Sequence, residues 1–174
     1  ASFHLRPHLG RGKATVFSPV TDPHGKPPRG VLLSTAKLFY FLFDYFFGYA
    51  LLVQPKLVQA TFILFDRYFH DLLVDPKRYR YGGAMWLARL VGRCVPKPDL
   101  WVLLDAPGEI VVARKGEISL AEATRQRQAY RDVLAPFQNV ARVDASQPLD
   151  AVVRDVEDHI LDRLEERTRG RFGF

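Results

Sequence analysis

Phe62-Ile63-Leu64-Phe65-Asp66-Arg67-Tyr68 is the stretch whose reading decides the fold. Four apolar residues of β-branched and aromatic character predict a short buried strand. That strand runs directly into an acid, a base and a phenol. Ligands of open α/β sheets collect just beyond the carboxyl ends of the strands, so chemistry is expected at this junction. There Asp66 can organise a metal-bound phosphate, and the Arg67 guanidinium can grip a second phosphate as a bidentate fork. The plainer alternative is a structural salt bridge at a strand end.

The 174 residues are 48% hydrophobic, enough for one globular domain with a substantial core. Twenty-five Lys and Arg against nineteen Asp and Glu leave a formal charge of +6, which suits an anionic partner. No basic helix interleaved with aromatics is present, so a phosphate-bearing small molecule is expected rather than a nucleic acid. Cys94 is the only cysteine. Intrachain disulfides and Cys-based zinc sites are thereby excluded, and a reducing, cytoplasmic setting is expected. The first twelve residues have no apolar core of a signal peptide.

Residues 31–53 are almost wholly apolar and approach the ~20 residues needed to span a bilayer. Yet Ser34, Lys37, Phe41, Asp44 and Gly48 recur along one stripe of a helix. An ionisable pair within lipid is costly, so the pattern predicts a central helix buried on most sides, its semi-polar stripe facing a pocket. Membrane contact by 31–53 is the alternative.

From the N-terminus, Phe3-His4-Leu5-Arg6 reads as the end of a strand stopped by Pro7. A loop over 7–30 follows, with prolines at 7, 19, 23, 27 and 28. After the Asp66 junction come an exposed loop at 75–83 and a helix over 84–94. Leu100-Trp101-Val102-Leu103-Leu104 predicts a second buried strand ending at Asp105, and Pro107 is placed to open the next helix. Arg114-Lys115-Gly116-Glu117 reads as a basic hinge. Ser119-Leu120-Ala121-Glu122 is a capping box for a helix over 120–134. A third strand over 140–143 ends at Asp144, and Ser146 caps a last helix whose predicted core stripe is Leu149, Val152, Val153, Val156, Ile160, Leu161 and Leu164. Strands alternating with helices predict a three-layer α/β domain over 1–167, its mostly parallel sheet covered on both faces. A basic flexible tail is expected over 168–174.

Asp66-Arg67-Tyr68, Tyr81-Gly82, Pro98-Asp99-Leu100 with Leu104-Asp105, Arg127-Gln128-Ala129-Tyr130 and Val143-Asp144-Ala145-Ser146 together resemble the thymidylate kinases, which are P-loop nucleoside-monophosphate kinases. Pro55 and Asp44 also fall where that family carries a Pro and an Asp. The resemblance implies a P-loop NTPase-like fold and transfer of the ATP γ-phosphoryl group, with Mg²⁺, to a nucleoside monophosphate such as dTMP. It implies that Arg67 and Arg6 hold the acceptor phosphate, with Asp66 beside the magnesium. Asp44, Tyr45 and Tyr81 would line the acceptor site. Arg114 and Lys115, where the lid begins, and Arg125 and Arg127 on the following helix would face the donor phosphates. A homodimer is a further implication.

Three departures stand against that pattern. Gly-x-x-x-x-Gly-Lys-Ser/Thr is absent: 7–14 has Pro7 for the first glycine and Ala14 for the hydroxyl residue, so the donor cradle is expected upstream of Ala1. Tyr45 and Phe47 stand where the family carries an Arg and a Gln near the base, forfeiting hydrogen bonds that discriminate bases. His70-Asp71 replaces a small hydroxyl residue; both could join Asp66 as metal ligands, but no further histidine at ligand spacing supports a metal site. The expectation is therefore a thymidylate kinase-like domain, truncated before its P-loop and inactive by itself. A non-catalytic module for phosphate ligands or protein partners, or a kinase of a sugar or lipid intermediate, are the alternatives.

Overall fold

The structure is a computed structural model that describes residues 1–3, 7, 25–116 and 118–172, without the side chains of Lys115, Arg171 and Phe172. The chain forms two compact units, Ala1–Lys97 and Pro98–Phe174. Each is a mixture of helices and a small parallel sheet.

In the first unit, β1 (Ser2–Phe3) pairs in parallel with β2 (Leu64–Phe65), in the register Ser2↔Leu64 and Phe3↔Phe65. The Phe3 and Phe65 rings stack 5.2 Å apart across it. The ladder is shorter than the strand expected over 62–65, and that run is not buried: Phe62 and Leu64 are each 55% exposed. A two-stranded ladder has too little surface to cover both faces of its strands, which is why the apolar run stays partly in solvent.

Helix α1 (Val31–Gly48) continues through a π-helical turn, Tyr49–Val53, into α2 (Gln54–Val58). The whole run Val31–Val58 is 28 residues long, with an apolar window of mean hydropathy 1.4 of which only 33% is buried. The expectation of a helix buried on most sides is corrected here. Ser34, Leu38, Phe41, Asp44, Tyr45 and Gly48 are buried, so the semi-polar stripe is the inward one. It packs on α4 (Met85–Cys94). The apolar sides face outward, because no element among the described residues covers them.

The loop after α3 (Asp71–Val74) is tied to the start of α1. Arg29 N–H donates to the Arg80 carbonyl at 2.9 Å, and Gly82 N–H to Ser34 Oγ at 2.9 Å. A Cβ at Gly82 would lie 2.2 Å from the Arg29 carbonyl oxygen, so this approach requires glycine.

In the second unit, β3 (Trp101–Asp105) pairs in parallel with β4 (Val140–Asp144) over five residues, from Trp101↔Val140 to Asp105↔Asp144. Alternation wins over the continuous burial expected of β3: Val102 and Leu104 are exposed while Trp101 and Leu103 are half-buried. Helix α5 (Gly108–Lys115) ends at Gly116, whose φ of 60° supplies the left-handed C-terminal turn. Helix α6 (Leu120–Leu134) opens on the expected cap, Ser119 Oγ accepting from Glu122 N–H at 3.3 Å.

Helix α7 (Leu149–Phe172) packs on β4 and continues past residue 168, where the sequence reading placed a flexible tail. Its last turns are laced by Arg169–Glu165 at 2.6 Å and Arg163–Glu166 at 2.9 Å. Of its expected core stripe Val152 is buried and Val156 and Ile160 are half-buried, while Leu149, Val153, Leu161 and Leu164 are exposed.

Candidate functional site

Arg67 follows the carboxyl end of β2, and α3 begins four residues later with Asp71. That spacing brings Arg67 Nη1 to 2.8 Å from Asp71 Oδ2, a partly buried pair. The guanidinium also donates to the Tyr79 hydroxyl oxygen. Burial pushes the Tyr79 phenol upward, and the Asp71 charge adds to this while Arg67 and Arg78 work against it. On the other side of the same residue, the Tyr79 carbonyl accepts from Lys37 Nζ at 3.2 Å and lies 3.4 Å from Arg29 Nη1. Arg29, Lys37, Arg67 and Arg78 thus gather around one tyrosine, with Asp71 the carboxylate that fixes Arg67. Such a set can hold an anion by charge and by the planar fork of Arg67.

The remaining expected site residues fall in different places. Asp66 is exposed beside Arg67, its backbone N–H donating to the Phe3 carbonyl at 3.0 Å. Asp44 and Tyr45 are buried in the first unit, at 1% and 0% exposure. Tyr45 meets Tyr68 and Phe69 edge-on, and burial raises its phenol well above the ordinary range. Tyr81 is buried and donates to the Ala84 carbonyl at 3.0 Å, at the start of α4. Phe47 points outward. His70 is buried against Tyr68 and Phe69 rather than grouped with Asp66. Among the described residues, no group of three or more His, Cys, Asp or Glu is placed to hold a metal ion. Arg6 lies outside the described residues, as does the side chain of Lys115. Tyr79 was missed as a site residue, and Asp71 was weighed only as a metal ligand; the Arg67–Asp71 spacing of four was the available signal for the pairing.

The second unit has its own polar site. Asp105 and Asp144 end adjacent parallel strands in register. Arg127 Nε donates to Asp105 Oδ1 at 2.5 Å, and Arg131, one turn further along α6, bonds Oδ2 of the same carboxylate. The hydrogen bond from Arg127, then that from Arg131, holds the Asp105 carboxyl below its ordinary range. Asp144 is held low by the Ser146 hydroxyl and backbone N–H, at 2.6 and 2.8 Å. Asp105, Arg127, Asp144 and Ser146, with Pro107 and Arg142, line a cavity of about 310 Å³, near the lower bound for a small-molecule site. Arg114 donates to the Ala145 carbonyl at 2.6 Å, and Arg125 pairs with Glu122 on the helix surface.

Replacing Asp105 by Asn should lower the denaturation midpoint, by roughly 1–3 kcal/mol of stability, because two guanidinium groups lose a charged acceptor. Arg125→Ala, at an exposed helix pair, should cost less than about 0.5 kcal/mol. Equal losses in urea titrations of the two variants would refute the central place given to Asp105.

The chain matches no protein-family model. Its parallel strands flanked by helices establish a mixed α/β topology, compatible at that coarse level with the broad P-loop NTPase superfamily.

Proposed function

We propose that this chain is the acceptor-binding and lid portion of a thymidylate kinase-like phosphotransferase with a three-layer P-loop NTPase-like fold, and that it binds a nucleoside monophosphate. The observation that carries this reading is Arg67 at the end of a parallel strand, anchored by Asp71 and Tyr79 with Lys37, Arg29 and Arg78 around it. Phosphoryl transfer depends mainly on positioning and on positive charge around the phosphates, and this cluster supplies both for an acceptor.

Asp66 fits magnesium in the way that ion is commonly held, by one or two carboxylates completed by substrate phosphates and water. The ion would neutralise phosphate charge, and Asp66 would orient it from beside Arg67. ATP requires a cradle that the sequence of residues 1–174 does not contain, so acceptor binding rather than turnover is assigned to this chain. Because Tyr45 is buried and Phe47 is apolar, the phosphate, more than the base, is expected to carry recognition.

A second reading, a non-catalytic module for a phosphorylated ligand, draws support from the lid cations. Arg114, Arg125 and Arg127 each already hold an internal partner.

Calorimetric titration with dTMP, other nucleoside monophosphates and inorganic phosphate tests the shared core of both readings. Arg67→Ala should weaken monophosphate binding about ten- to 150-fold, the equivalent of ~1.5–3 kcal/mol for a charge-assisted hydrogen bond, and Arg67→Lys should recover only part. Unchanged affinity in Arg67→Ala would remove the proposal. ATP-dependent phosphorylation of an acceptor after a donor-cradle segment is supplied would separate the kinase from the binding module.

A further inference from the structure

Ser34 closes the first turn of α1 and is 1% exposed, too deep to touch a ligand. Its backbone N–H donates to the Gly30 carbonyl at 3.0 Å, the ordinary bond of a helical turn. A serine hydroxyl within a helix usually turns back to a carbonyl three or four residues earlier. That of Ser34 reaches past the helix start instead. It donates to the Arg29 carbonyl at 3.2 Å and accepts from Gly82 N–H at 2.9 Å. One buried hydroxyl thus joins the segment before α1 to the loop after α3. The same two segments are tied again where Arg29 N–H donates to the Arg80 carbonyl at 2.9 Å and Arg80 Nε to the Pro27 carbonyl at 3.0 Å. Between these ties lies the Tyr79 carbonyl, which receives both Arg29 Nη1 and Lys37 Nζ. Lys37 stands one turn beyond Ser34, its ammonium 5.1 Å from the centre of the Phe41 ring. A carbonyl is a neutral acceptor, so it aims the two cations without cancelling their charge as a carboxylate would.

We propose that Ser34 is a positioning residue of the acceptor site: its hydroxyl fixes the 79–82 loop against Arg29, and so places Arg29 and Lys37 for a phosphate. The assignment rests on reading the Arg67 cluster as the phosphate site. Packing alone gives a poor account of a hydroxyl at this position. Alanine suits a helix better, and a buried hydroxyl is favourable only through the bonds it makes. Both side-chain bonds of Ser34 go to segments that orient the cations. Without the hydroxyl, the Gly82 N–H and the Arg29 carbonyl lose their shared partner, and the loop is drawn toward water to replace it. A displacement of about 1 Å is enough to weaken a site that depends on geometry.

Calorimetric titration of the full chain with dTMP and with inorganic phosphate tests this. Ser34→Ala should weaken both about three- to tenfold, the order of one lost hydrogen bond. Ser34→Thr keeps a hydroxyl and should recover most of the affinity. Ser34→Cys, close to serine in shape but a weak donor, should fall between, and it supplies the comparison if the alanine variant does not fold. Leu38→Val is the control for lost packing: it lies on the same buried stripe, is 1% exposed, and should leave affinity within about twofold. Arg29→Ala should cost more in the wild type than in the Ser34→Ala background, where that cation is already misplaced; equal costs are the mark of independent residues. Unchanged affinity in Ser34→Ala and Ser34→Cys overturns the proposal and leaves the phosphate site standing. An equal loss in Leu38→Val, or equal costs of Arg29→Ala in the two backgrounds, does the same. A wild-type chain that binds neither dTMP nor phosphate removes the site itself, and the role of Ser34 with it.

Discussion

Phe69→Ala is expected to cost about 3–5 kcal/mol, the range for removing a large buried ring, and so to consume much of the stability of a unit this size. Phe69 has no exposed surface. Its ring meets Tyr45 edge-on at 6.2 Å and His70 edge-on at 6.1 Å. Helix α4 presses on it so closely that a Cβ at Gly92 would come within 3.2 Å of the ring. Neighbours that tight cannot collapse into the vacated space without moving α4 relative to α1, so most of the cavity should remain. Gly92→Ala attacks the same contact from the other side and should cost about 1–3 kcal/mol by overpacking. Urea denaturation at neutral pH measures both, with Phe62→Ala as the control, since that ring is 55% exposed. A loss below about 1 kcal/mol for Phe69→Ala would show that this ring is not what joins α1, α3 and α4.

That core explains which parts of the molecule could be read from sequence. Helix α6 was legible because its signals are local: Ser119 caps it, and Pro136 follows soon after its last residue. Asp105 and Asp144 end β3 and β4 as expected, because an apolar run ending in an acid is read without knowing its neighbours; that the two strands pair in register was not legible from either run. Burial of α1 was not legible. Its sequence offers two faces, and hydrophobicity alone assigns the aromatic one to the core; the structure buries Ser34, Asp44 and Gly48 with Leu38 and Tyr45 instead. Small and polar residues let α4 and the 79–82 loop come close, as the Ser34 Oγ contact with Gly82 shows.

The sites follow the same division. Arg67 and Asp66 were found because they end a strand. Tyr79 was not, since its part depends on a loop turning back to α1 through Arg80, whose φ of 53° is a conformation no local propensity favours. Arg131 was missed beside Arg127, although a spacing of four puts both on one face of α6 and hence on one carboxylate. Tyr45 differs: its position in a motif implied a ligand contact, while its ring is fully buried against Tyr68 and Phe69.

His70 should make the protein sensitive to mild acid. It precedes α3, is 6% exposed, and its ring stacks 6.1 Å from Tyr68 and meets Phe69 edge-on. Burial, helped by the charge of Lys97, pushes the imidazole down to about 4. An unfolded histidine titrates near ~6.5. As pH falls between these values the unfolded chain takes up a proton that the folded chain refuses, so the stability present above about 6.5 is progressively withdrawn, and the loss is complete near 4. The full loss is roughly 3 kcal/mol, at ~1.4 kcal/mol per unit. Most of it should be visible by pH 5, before paired carboxylates such as Asp105, whose acid loss lies lower, begin to contribute. His70→Gln cannot titrate, so its stability should stay nearly level from pH 7 to pH 5 while that of the wild type declines, even if the substitution itself lowers both ends. Denaturation midpoints at closely spaced pH values decide the matter, and parallel profiles for the two proteins would show that the imidazole takes up its proton in the folded state as readily as in the unfolded one.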